Sequence, residues 1–153
     1  MLGPGNVEAA LFRSPRRVDV TLAVLSDSTI QSQDGKLSII GLFQEIRSAA
    51  LPVAHAQCSL VVTLRASPAE AGEHKRLTVR LMDEDSVMME LNGEFDLPKP
   101  YPILGRPVFI NQVFTIQGLV LPKAGDYAFH VLVGGEEKAV VPFSAVLLKP
   151  PSS

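Results

Sequence analysis

"RLTVRLM", residues 76–82, alternates Leu77, Val79 and Leu81 with Arg76, Thr78 and Arg80. Successive side chains of an extended strand point to opposite faces, so this stretch reads as a β-strand with one apolar and one wet face. "SLVVTLR", residues 59–65, repeats the pattern with Leu60, Val62 and Leu64. Working outward, period-two runs cut by Gly, Pro and Asp also cover Val18–Leu25, Lys36–Ile46, Val87–Phe95, Val108–Ile116, Tyr127–Val133 and Ala139–Leu148. That makes about eight strands. No helical stripe interrupts the series, which disfavours βαβ units and the parallel sheets they build.

The connections agree with two packed antiparallel sheets. Asp34-Gly35, inside "QDGKLSIIG", is a turn pair, because glycine accepts a positive φ without steric cost. "MDEDS" and "GGEE" are of hairpin size, while "LPKPYPILGRP", residues 97–107, holds four of the 12 prolines and reads as an extended crossover between sheets. We expect a flexible arm over residues 1–17, with Pro4 and Pro15, a sandwich domain over 18–148, and a flexible tail over 149–153.

At 153 residues, one domain can bury roughly 68–70% of the surface its unfolded chain exposes, so neither a disulfide nor a metal is required for folding. The one cysteine, Cys58, lies in the apolar run "CSLVVTL" and reads as a small buried hydrophobe in a reducing, cytoplasmic compartment. A net charge of −2 from 14 basic and 16 acidic residues supplies no field for nucleic acid, and Arg13, Arg16 and Arg17 are too few for a phosphate track. The start lacks the charge-then-apolar order of a secretory signal, and no run reaches the roughly 20 apolar residues of a spanning helix. Neither nucleic acid nor membrane is expected as a partner. Apolar residues make up 46% of the chain without glycine, and charged residues 20% against a typical ~25%, so the chain has an apolar excess to bury.

"LPKAGDYAFHVLVGGEEKAVVPFSAVLL" resembles the last hairpin of immunoglobulin-like sandwiches at Gly125 and Tyr127. That likeness implies a Tyr127 hydroxyl bonded back to the upstream backbone, a structural role. "LAVLSDSTIQSQDGKLSIIGLFQEI", Pro52, "GEHKRLTVRLMDED" and "AGDYAFHVLV" together resemble a family of small bacterial proteins, a domain of unknown function. The likeness implies a cytosolic bacterial sandwich and carries over no catalytic residue. The expected fold is therefore all-β: a two-sheet antiparallel sandwich, immunoglobulin-like or related.

Candidate sites are few. Asp83, Glu84 and Asp85 could offer oxygens to calcium, but no D-x-D-x-D-G loop is present, and a solvated turn explains them equally. His55, His74 and His130 are too widely spaced for a zinc motif, and Cys58 has no C-x-x-C companion. Hydrolase, P-loop and dinucleotide signatures are missing, so no catalytic, metal or cofactor residue is assigned and no enzyme activity is expected. The candidate interaction residues are Tyr101, Arg106 and Phe109 around the crossover, with Val146 and Leu148 on the second face of the last strand. Phe109 itself reads first as core, and Tyr101 as the better exposed anchor. Ala139, Val141, Phe143, Ala145 and Leu147 fill one face of that strand, and Pro142 places it at an edge or bulge. The expected function is a non-catalytic interaction or assembly module that binds another protein or itself. The alternatives are a sandwich binding sugar or calcium, and, third, an enzyme with a site assembled from distant loops.

Overall fold

The computed structural model describes residues 17–99 and 105–149. Among the described residues there is no α-helix; nine strands and one short 3-10 turn account for the regular structure. They are β1 (Val18–Gln31), β2 (Leu37–Leu42), β3 (Glu45–Ser48), β4 (Val53–Ala66), the turn Pro68–Glu70, β5 (His74–Met82), β6 (Val87–Asp96), β7 (Val108–Leu121), β8 (Gly125–Val133) and β9 (Glu136–Leu147). A four-stranded sheet runs β2-β1-β4-β7 and a five-stranded sheet runs β3-β9-β8-β5-β6. All pairings are antiparallel except β3 with β9.

The alternation read from the sequence fills the core. Cys58, Leu60, Val62 and Leu64 of β4 face Leu77, Val79 and Leu81 of β5 across the two sheets, with Phe129 and Phe143 stacked at 5.5 Å between ring centroids. Each such burial contributes ~1.5–3 kcal/mol relative to exposure. The crossover at residues 97–107 does lead from β6 in one sheet to β7 in the other.

Nine strands replace the expected eight because Lys36–Ile46 is two strands. The Phe43 amide donates to Leu25 O at 3.1 Å, the last bond toward the four-stranded sheet. One residue on, Gln44 O accepts from the Ser144 amide at 2.9 Å, and the chain has joined the five-stranded sheet. The buried row changes phase at this step, from Leu37, Ile39 and Phe43 to Ile46 across the exposed Gln44 and Glu45, but the pattern does not encode which neighbour supplies the hydrogen bonds.

Pro142 sits in β9 at no cost. Amides two residues apart point to the same side of a strand, and that of Ser144 points toward β3. The missing N–H of Pro142 therefore faces the side that β3, paired only with Ser144–Leu147, does not reach. Tyr127 makes the expected corner: its hydroxyl donates to Lys123 O at 2.6 Å while its ring stacks on Phe143. The buried Glu70 carboxylate takes the Lys75 ammonium, which Glu73 also approaches at 3.2 Å, tying the 3-10 turn to β5.

β1 is longer than its apolar run suggests and does not stay flat. Its first half pairs with β4 from Val18–Ala66 to Ser26–Ser59, and its second half, among the described residues, pairs only with β2. At the hairpin tip, Gly35 O accepts from Asn111 Nδ2 at 3.3 Å, and Asn111 Oδ1 accepts from Thr63 Oγ1 at 2.7 Å. Thr63 is the partner of Leu22. A straight continuation from Leu22 would carry Gly35 about 40 Å away at ~3.3 Å per residue. The hairpin therefore bends and lies back across the outer face of its own sheet. The bend is at Ser26, whose hydroxyl bonds Ser28 O at 3.3 Å and Thr29 Oγ1 at 3.1 Å. Under this arm Ser26, Ser59 and Val61 are closed from solvent, although they lie on the face away from the core.

Candidate interaction surface

The two sheets differ in charge. The four strands of the β2-β1-β4-β7 sheet hold three charged residues, Asp19, Asp27 and Arg65, and β2 and β7 hold none. The five strands of the other sheet hold twelve. Most of them line its outer face, where Arg80 Nε bonds Glu90 Oε2 at 3.2 Å, Arg47 approaches Glu45 at 3.1 Å, His130 pairs with Glu137, and Thr78 Oγ1 donates to Asn92 Oδ1 at 2.9 Å. A face so paired is a solvated one.

Exposed apolar groups follow the opposite distribution. Six of the ten large hydrophobic side chains exposed among the described residues lie on the four-stranded sheet: Leu22, Ile30, Ile40, Leu42, Phe109 and Val120. On the folded-back arm, Leu37 and Ile39 are half-buried on one face, while Ile30 and Ile40 stand 56% and 51% exposed on the other. Leu42 at the base of the arm borders a cleft of about 200 Å³ with Val24, Phe43, Val140 and Pro142.

The structure scatters the residues picked from sequence. Phe109 is 57% exposed, which overturns its reading as core: Val108 and Ile110 take the inward positions on either side, and Phe109 points out beside Arg65. Arg106 is exposed next to a polar cleft of about 330 Å³ lined by Arg17, Asp19, Arg65, Ser67, Pro68, Gly105 and Pro107. In that cleft the Arg17 guanidinium is already taken by Asp19 at 2.7 Å. Tyr101 lies outside the described residues. Val146 is half-buried beside Arg47 of β3, and Leu148 is exposed just beyond β9. The second face of β9 is apolar only in part: Val140 neighbours His130, and Ser144, between Pro142 and Val146 on that face, bonds Asp126. Sequence reasoning missed Ile30, Ile40 and Leu42; the available signal was the absence of charge throughout "LSIIGL".

The other candidate groups serve local structure. Asp83 Oδ1 accepts the amides of Asp85 and Ser86, each at 2.8 Å, and these bonds hold its carboxyl below the usual range. Glu84 and Asp85 do not join it in a metal-holding group, and no such group occurs among the described residues. Cys58 is buried and free, its thiol pushed up to about 11 by burial and, secondarily, by Asp27, which removes it as a nucleophile near neutral pH. His74 lies exposed between Asp96, at 2.7 Å, and Glu94, at 3.5 Å. No helix of the described residues is long and apolar enough to cross a membrane.

Residues 21–146 match the model of a family described as of unknown function, DUF6941. None of the curated proteins matches the chain. Among solved structures, a Pseudomonas fluorescens alkylpurine DNA glycosylase, AlkC, bound to DNA containing an abasic site analog, is 14% identical with a TM-score of 0.49, over 86% of this chain and 31% of that one. A beta-glucosidase from Listeria innocua in complex with isofagomine is 10% identical with a TM-score of 0.50, over 89% of this chain and 17% of that one. The chain spans less than a third of either protein. Likeness at these identities is of fold alone.

Proposed function

The chain belongs to the family of unknown function DUF6941, so its role must be read from its own surface, and we propose that it is a non-catalytic interaction module, binding another protein or a second copy of itself through the four-stranded sheet. The observation that carries this reading is the segregation of charge: twelve charged strand residues on one sheet against three on the other, with the exposed apolar side chains gathered where charge is lacking. Interface cores are depleted of charge and enriched in apolar groups, while free surfaces carry paired charges. We read the architecture as immunoglobulin-like, supported by the run β9-β8-β5-β6 within one sheet and by the Tyr127 corner at the start of β8. A reducing, cytoplasmic setting suits the free Cys58.

Site-specific photo-crosslinking in cells tests the reading. A crosslinker in place of Ile40 is expected to trap one discrete partner, and the same crosslinker in place of Arg80, on the charged sheet, to trap none. Equal yields at the two positions, or none at either, would overturn it.

A further inference from the structure

We propose that the chain forms a two-fold homodimer in which β7 pairs antiparallel with β7 of a second copy, the axis passing through Gln112. This inference rests on the reading of the four-stranded sheet as the interaction side, and it names the partner.

Among the described residues β7 ends its sheet and is bonded to β4 alone. Its 14 residues, "VFINQVFTIQGLVL", include no charge and no proline. Sheet edges are ordinarily guarded by charge, proline, shortness or a covering segment, because unpaired N–H and C=O groups accept any passing strand. Among the described residues the other end strands are guarded: β6 carries Glu90, Glu94 and Asp96, β3 is four residues long with Glu45 and Arg47, and β2 has only six residues, while Pro142 interrupts the open stretch of β9.

The β7 edge is also complementary to itself. Val108, Ile110, Gln112, Phe114 and Ile116 take the inward positions. With Gln112 on the axis, Ile110 faces the copy's Phe114 and Val108 faces the copy's Ile116. Gln112 then meets its own copy, and a carboxamide can both donate to and accept from another carboxamide. On the outer face the exposed Phe109 comes opposite the copy's Thr115. Every apolar residue of the inward row finds an apolar partner, as an isologous contact requires, and such cross-strand pairs are the stabilising unit of a sheet. A shift of one residue would set Ile110 against the copy's outward face, and moving the axis to Asn111 or Val113 would set Gln112 against Ile110 or Phe114, so the pattern selects this register. Beside the edge, an apolar cleft of about 230 Å³ lined by Met88, Met89, Ile116 and Leu119 lies next to Val120, itself 53% exposed.

Native mass measurement across a concentration series, with two variants, tests the proposal. The unmodified chain is expected to double its mass as concentration rises. Gln112→Glu and Gln112→Lys each place like charges across the axis and are expected to abolish the doubling while leaving the circular dichroism spectrum unchanged; mixing the two is expected to restore a dimer that contains one of each. A chain that stays monomeric, or a dimer unaffected by either variant, overturns the β7 pairing. The broader interaction reading would then still stand if Ile40 crosslinks a discrete partner, and fall if it does not. Should neither variant fold, amide exchange of the unmodified chain decides: protection along β7 that rises with concentration supports the pairing, and protection that does not overturns it.

Discussion

Gly35 and Gly41 both hold positive φ, +84° and +73°, yet they are under different constraints. A Cβ at Gly35 would meet nothing, so Gly35→Val carries backbone strain alone, about 1 kcal/mol of lost stability. A Cβ at Gly41 would fall onto the Asp27 carboxylate, so even Gly41→Ala is expected to cost more than Gly35→Val; urea melts of the two variants check the order. Cys58, closed from solvent and with its thiol raised to about 11, is expected to resist thiol reagents at mildly alkaline pH until the chain unfolds; rapid labelling of the native protein would show that the core opens there. The His74 imidazole is held above its ordinary value chiefly by its hydrogen bond to Asp96, with charge from Asp96 and Glu94 adding to it. A raised folded value means the contribution is whole below about pH 6.5, the unfolded value, and is lost as pH rises through the folded one. Thermal melts from acid to mildly alkaline pH are expected to show that decline, small because the site is exposed, and His74→Gln to remove it.

The element that organises the surface is the β1–β2 arm. One side chain, Asn111, holds its tip to the sheet by taking Thr63 and the Gly35 carbonyl together. Asn111→Ala is expected to leave β4 and the core protected from amide exchange while exchange rises along β2 and the second half of β1. Unchanged protection of β2 would mean that Leu37 and Ile39, half-buried beneath the arm, hold it without the hydrogen bond. The Tyr127 corner acts on the opposite sheet, fixing the entry to β8 through Lys123 O.

At the scale of the whole molecule, association through the four-stranded sheet involves almost no charge. Salt screens exposed charge pairs over about 10 Å at 0.1 M and leaves apolar contact untouched. The dissociation constant is therefore expected to hold or tighten as sodium chloride is raised. A steep weakening with salt would place the contact on the charged five-stranded sheet instead.

How much was legible follows from what each signal encodes. "RLTVRLM" and "SLVVTLR" fixed their own buried faces, because alternation is a property of the strand itself, and Leu60, Val62, Leu77, Val79 and Leu81 are core as read. Asp34-Gly35 marked its turn and Tyr127 its corner for the same local reason. Phe109 was misread because an apolar residue in an apolar strand carries no mark of its face until the register with β4 is known. The neighbours of Val140 and Val146 on the second face of β9, His130 and Arg47, come from other strands and could not be read from the strand itself. The absence of charge from β2 and β7 was written in the chain. That these two strands are the two edges of one sheet, and that the charged strands gather in the other, was decided only by tertiary pairing, since strand order joins segments that no local pattern relates.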